Sequence, residues 1–183
     1  SGETVVLGGL ILKGEETAGS GIPCLKDIPG LGALFGGKRL DYREFNARVN
    51  RLAHVLGGLG VRKGDRVATL LPNTLELLEC YWACARTGAV AVPLSPLLTG
   101  IGLASLVKDS GAVCLVTQRS LLPVVEAVLA DLPALEASRI LLIEGGEAPW
   151  GDYAALTTAA PAHEPPMADV GPDDLFNIMY TSG

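Results

Sequence analysis

From residue 38 to residue 143 the chain switches between two hydrophobic periods. Tyr42, Phe45, Val49, Leu52, Leu56 and Leu59 recur at three- and four-residue steps and predict one face of a helix. Asp41-Tyr-Arg-Glu44 ahead of them reads as a capping box, with Asp41 accepting from the backbone and Glu44 reaching back. Gly60 is the expected stop. Arg43, Asn46, Arg48, Asn50 and Arg51 fall on the other side, read here as a solvated face rather than a phosphate site. Val67–Leu71 has strand length and meets the breaker Pro72-Asn73. Thr74–Arg86 reads as a helix ended by Gly88, and Ala89–Leu94 as a second strand. Leu103–Lys108 is helical up to Gly111, Val113–Thr117 a strand, Leu121–Ala130 a helix with Pro123 in its first turn, and Ile140–Ile143 a strand.

The strands are continuously apolar rather than alternating, which predicts an α/β fold: a mostly parallel sheet flanked by helices on both faces. Residues 144–172, punctuated by glycine and proline, read as a loop with one short helix near Tyr153–Leu156. Leu175–Tyr180 is the last expected strand, running into Thr181-Ser182-Gly183.

Composition narrows the function. With 49% hydrophobic and 19% charged residues in 183, the chain has material for a core, which excludes intrinsic disorder and a long coiled coil. A net charge of −6 argues against nucleic acid or an anionic membrane as the main partner. No apolar run approaches the roughly 18–20 residues of a spanning helix, and no basic leader precedes an apolar stretch. Starting at Ser1 and stopping on Gly183, the chain reads as cut at both ends. Eight of 14 Lys/Arg lie between Lys38 and Arg66 and none follows Arg139, while ten of 23 glycines lie in the first 37 residues. These shifts set a compositional boundary near residue 37.

Candidate chemistry is sparse. Cys24, Cys80, Cys84 and Cys114 form no C-x-x-C pair, and His54 and His163 lie far from them, so no metal site is expected. The cysteines read as reduced core residues of a cytoplasmic protein. Asn73 is expected to start a helix, His54 to be a surface or half-buried residue rather than a base, and Tyr81 and Trp82 to pack the core. Gly57-Gly58-Leu59-Gly60 follows a helix rather than a strand, which rejects a dinucleotide loop. The informative spot is the end. In open α/β sheets ligands bind beyond the carboxyl ends of strands. Two hydroxyls and a glycine there suit an anion, although a plain turn has the same composition.

Four stretches in order resemble the amino-terminal part of the adenylate-forming (AMP-binding) superfamily, which includes acyl-CoA synthetases. Gly37-Lys-Arg-Leu-Asp-Tyr-Arg-Glu-Phe-Asn-Ala-Arg-Val-Asn-Arg-Leu-Ala-His54 looks like its first helix. Gly60-Val-Arg-Lys-Gly-Asp-Arg-Val-Ala-Thr-Leu-Leu-Pro-Asn73 and Arg86-Thr-Gly-Ala-Val-Ala-Val-Pro-Leu-Ser-Pro96 resemble its first two core motifs. Asp173-Asp-Leu-Phe-Asn-Ile-Met-Tyr-Thr-Ser-Gly183 resembles the start of its phosphate-binding loop.

The resemblance implies residues 37–183 to be a truncated amino-terminal ligase domain. It implies a reaction in which a carboxylic acid, such as a fatty acid, attacks the α-phosphate of ATP with Mg2+. The acyl-adenylate then passes to the thiol of coenzyme A or a carrier protein. Thr181, Ser182 and Gly183 would begin the loop for the β and γ phosphates. No catalytic residue lies within the chain, so the piece is expected to be inactive alone.

Residues 1–36 fit poorly. Glu3-Thr-Val-Val-Leu-Gly-Gly-Leu-Ile11 and Gly21-Ile-Pro-Cys-Leu-Lys-Asp-Ile-Pro-Gly-Leu-Gly-Ala-Leu-Phe35 resemble a bacterial secretin signature. They read as a strand, a polar turn at Lys13–Ser20 and a Pro/Gly-constrained segment joined to the domain by fusion or assembly error. A secretion-channel segment and a noncatalytic α/β binding module are therefore the competing functions.

Overall fold

The structure, a computed structural model, describes residues 40–181 and the backbone of two amino-terminal strands. Those strands, β1 (Thr4–Leu7) and β2 (Leu10–Lys13), pair antiparallel from Thr4 opposite Lys13 to Leu7 opposite Leu10. The stretch expected as one strand is thus two, and Lys13 belongs to a strand rather than to a turn. The rest of the secretin-like segment, Cys24 included, lies outside the described residues, as do Ser182 and Gly183.

Helix α1 (Tyr42–Gly58) starts where Asp41 Oδ1 accepts from the Glu44 amide at 2.8 Å. It ends in a Schellman closure, with Val61 N donating to Leu56 O and Gly60 N to Gly57 O while Gly60 takes φ +81°. Strand β3 (Arg66–Leu70), helix α2 (Leu75–Thr87), strand β4 (Val90–Leu94), helix α3 (Gly100–Ser110) and strand β5 (Ala112–Thr117) follow. Next come α4 (Leu122–Glu126), β6 (Ile140–Leu142), β7 (Gly151–Asp152) and α5 (Tyr153–Ala159). The sheet is parallel throughout, in the order β4-β3-β5-β6-β7.

Two cores sandwich this sheet. Val67, Ala91, Cys114, Val116 and Leu141 face α1 and α2, whereas Ala68, Leu70, Val92, Leu115 and Ile140 face α3 and α4. Successive strand residues point to opposite faces. Both faces are covered, so both register positions favour apolar residues; the buried Thr117 is satisfied by donating to Leu70 O at 3.0 Å.

Several expectations shift. Leu121–Ala130 is not one helix: 3-10 turns at Arg119–Leu121 and Leu129–Asp131 flank the short α4. That break keeps Val125, Val128 and Leu132 all buried in the α3 layer. Strand β7 was hidden in the expected loop because its two residues are Gly151 and Asp152, which carry no apolar signal. A Cβ on Gly151 would collide with the Leu141 side chain, so glycine suits that pairing. The helix after β3 is capped by Thr74, whose Oγ1 accepts from Leu77 N at 3.3 Å, and not by Asn73. Tyr42, expected in the core face of α1, is exposed, and Tyr81 and Trp82 pack only partly against the core.

The largest correction concerns the polar side of α1. Arg43 is exposed, but Asn50 is 2% exposed and donates to Ala162 O at 2.8 Å. Arg48 pairs with Glu79 and, at 3.6 Å, with Glu76; Asn46 accepts from Arg86. That side docks on α2 and on residues 160–164. His54, half-buried, is drawn into the same strap, its Nε2 lying 3.1 Å from His163 O.

Candidate functional site

The expected last strand is reduced to one parallel bridge, Ala91 with Asn177, outside β4 at the open edge of the sheet. Ala91 N donates to Phe176 O at 3.0 Å and Ile178 N to Ala91 O at 2.9 Å. With a neighbour on one side only among the described residues, the segment keeps Leu175, Phe176 and Met179 at 66%, 50% and 65% exposure. Ile178 and Tyr180 turn the other way and pack against the α3 layer. The Tyr180 hydroxyl donates to Asp109 Oδ2 at 2.7 Å, tying the segment to α3.

Because the bridge is parallel, the segment runs in the same sense as β3 and β4. Carrying the register forward from Ala91 and Asn177 brings Thr181 level with Ser95, just past the carboxyl end of β4. Thr181 is exposed there. Of the three residues expected to begin a phosphate loop, it is the one within the described residues.

The approach to that point is clamped from below. Lys63 Nζ contacts Asp174 Oδ2 at 2.7 Å and donates to Asp169 O. Asp174 Oδ2 also accepts from Gly171 N at 2.7 Å. The bond from Lys63, then that from Gly171, holds the Asp174 carboxyl below its ordinary range. Sequence reasoning missed this contact. Both residues lie in stretches already singled out, but one sequence carries no sign that they meet.

The described site is poor in cations. The segment brings Asp169, Asp173 and Asp174, and the sequence holds no Lys or Arg after Arg139. Among the described residues no cluster of three or more His, Cys, Asp or Glu stands ready for a metal ion. Nor, among them, is any helix long and apolar enough to cross a membrane. Cys80, Cys84 and Cys114 are buried free thiols; burial pushes those of Cys84 and Cys114 up to about 12.

Comparison with known proteins decides the family. The sequence profile of the AMP-binding enzymes matches residues 23–183. The chain belongs to the AMP-binding enzyme family. The match reaches back into the secretin-like stretch, so residues 23–35 fall within the family's span and the secretin resemblance has no support.

Two relatives of this AMP-binding chain illustrate its setting. The long-chain-fatty-acid–CoA ligase FadD13 of Mycobacterium tuberculosis is 35% identical over 147 residues, covering 79% of this chain and 27% of the relative. A feruloyl-CoA synthase of Amycolatopsis is 40% identical over 148 residues, covering 81% and 27%. Among solved structures, the anthranilate CoA ligase AuaEII in complex with anthranoyl-AMP superposes with a TM-score of 0.74 at 26% identity. The superposition covers 80% of this chain and 28% of that one. The parallel five-stranded sheet with flanking helices is thus the fold of the amino-terminal part of adenylate-forming ligases. The chain spans about a quarter of these relatives' length.

Proposed function

We propose that this chain forms part of an ATP-dependent carboxylate ligase that activates a carboxylic acid, such as a fatty acid, as its acyl-adenylate. The acyl group then passes to a thiol, that of coenzyme A or of a carrier protein. Support comes from the family match over residues 23–183 and from relatives named as CoA ligases, one solved with an acyl-AMP. The structural observation that carries the reading is the parallel course of residues 176–178 beside β4, which leaves Thr181 exposed past the strand's carboxyl end.

In this reading Thr181, Ser182 and Gly183 begin the loop that binds the β and γ phosphates. Hydroxyl and backbone N–H groups are donors suited to phosphate oxygens. The acidic approach does not suit the rest of the task. Attack of a carboxylate on the α-phosphate brings negative groups together, and a segment with Asp169, Asp173 and Asp174 offers no compensating charge. Magnesium supplies such compensation when bound, and in this reading its ligands come from elsewhere in the ligase. The adenine site and catalytic groups are assigned there too, and the 183-residue chain is inactive alone. Three buried free cysteines accord with a reducing, cytoplasmic setting.

Acid-dependent exchange of pyrophosphate into ATP tests this. The complete ligase should show it with a panel of fatty and aromatic acids, and the present chain should not. Exchange by the chain alone, or none by the complete protein with any acid, would contradict the proposal.

A further inference from the structure

Two motif stretches that the function leaves without separate roles are joined by one side chain. Lys63 sits in the turn between α1 and β3, where Asp65 N donates to Arg62 O at 3.0 Å and Gly64 N to Gly88 O at 2.8 Å. These bonds fix Lys63 beside the turn that feeds β4, whose first residue, Val90, donates to Asp65 O at 2.8 Å. The lysine stem then crosses Gly88. A Cβ on that glycine would lie 2.9 Å from Lys63 Cγ and 3.3 Å from Ala168 Cβ, so the stem and the incoming strap fill the space. The ammonium reaches Asp169 O and the Asp174 carboxylate, two residues ahead of Phe176, whose carbonyl accepts from Ala91 N.

The geometry is that of a clasp. Residues 175–180 hold the sheet by two backbone bonds, and beyond them comes Thr181. The Tyr180 bond to Asp109 holds the far end of this segment, and the Lys63 contacts to Asp174 and Asp169 hold its entry. We infer that Lys63, acting through Asp174, is a positioning residue for nucleotide binding: it fixes the register in which residues 176–178 join β4 and so the place of the loop that starts at Thr181. This rests on the phosphate-loop reading above.

Lys63→Met removes the charge and keeps the stem; Lys63→Arg keeps the charge. In this chain, amide hydrogen exchange at Ala91 and Ile178 should quicken in Lys63→Met and in Asp174→Asn. It should return toward wild type in Lys63→Arg, with β3 and β5 unchanged throughout. In the complete ligase, Lys63→Met should raise KM for MgATP about two- to fivefold, the range set by a half-exposed ion pair, and leave KM for the acid unchanged. Unaltered exchange, or equal rises in both KM values, would overturn the role given to Lys63. A wild-type ligase inert toward ATP would instead sink the phosphate-loop reading and this one with it. Failure of the clasp alone leaves wild-type turnover intact.

Discussion

Tyr153 donates its phenolic hydrogen to Glu79 Oε2, joining the first residue of α5 to the middle of α2. The other carboxylate oxygen of Glu79 takes Arg48 Nε from α1. One carboxylate, 1% exposed, thus holds three helices on the same face of the sheet.

Removing the hub leaves two donors stranded. Glu79→Ala should lower unfolding free energy by about 2–4 kcal/mol, less than a fully buried pair because Arg48 is partly hydrated. Tyr153→Phe, which deletes one donor and keeps the ring, should cost about 1–2 kcal/mol. Urea titrations of the chain check both.

The pH dependence of the same residue has a definite sign. Desolvation raises the Glu79 pKa above 4.5, outweighing the bonds from Arg48 and Tyr153 that pull it down. A carboxyl raised on folding favours the folded state most at pH below its unfolded value, and that contribution fades as pH climbs through the folded one. Asp174, lowered by Lys63, works the other way: its contribution is present above pH 3.8 and lost on acidification. Stability measured from pH 3 to pH 8 should therefore change slope oppositely in Glu79→Gln and Asp174→Asn. Parallel slopes in the two variants would refute the assignment.

Two adjacent polar residues compete to cap α2, and the structure gives the role to Thr74. Thr74→Ala should cost about 1 kcal/mol. Asn73→Ala, at an exposed site, should stay within about 0.5 kcal/mol of wild type. Equal losses would return the cap to Asn73.

Gly88 takes φ +69° beneath Lys63 and Ala168. Gly88→Ala should cost about 1–2 kcal/mol from the left-handed backbone alone, with more from the stem it displaces. Thermal melts beside Lys63→Met show whether the two losses overlap.

What the sequence disclosed follows from range of interaction. The Asp41 cap and the Gly60 closure are settled within a few residues, and the core strands by burial on both faces, so local pattern suffices. Arg48 and Asn50 look like a wet helix face because nothing nearby reveals that α2 and residues 160–164 will cover them. β7 escapes because Gly151 contributes by lacking a side chain. Leu175–Tyr180 has strand composition, but among the described residues it pairs with β4 alone and by one bridge. Within the candidate site, the terminal Thr-Ser-Gly is legible as a motif. The Lys63 contact to Asp174 is not, since charge pairing between distant segments exists only after folding.

The most direct measurement compares ATP with AMP. In the complete ligase, titration calorimetry on wild type and on Thr181→Ala/Ser182→Ala should show ATP weakened roughly tenfold or more by the loss of donors to charged oxygens. AMP, which lacks the β and γ phosphates, should bind unchanged. Undiminished ATP affinity, or equal losses for both nucleotides, would contradict a polyphosphate cradle at the open edge of this sheet.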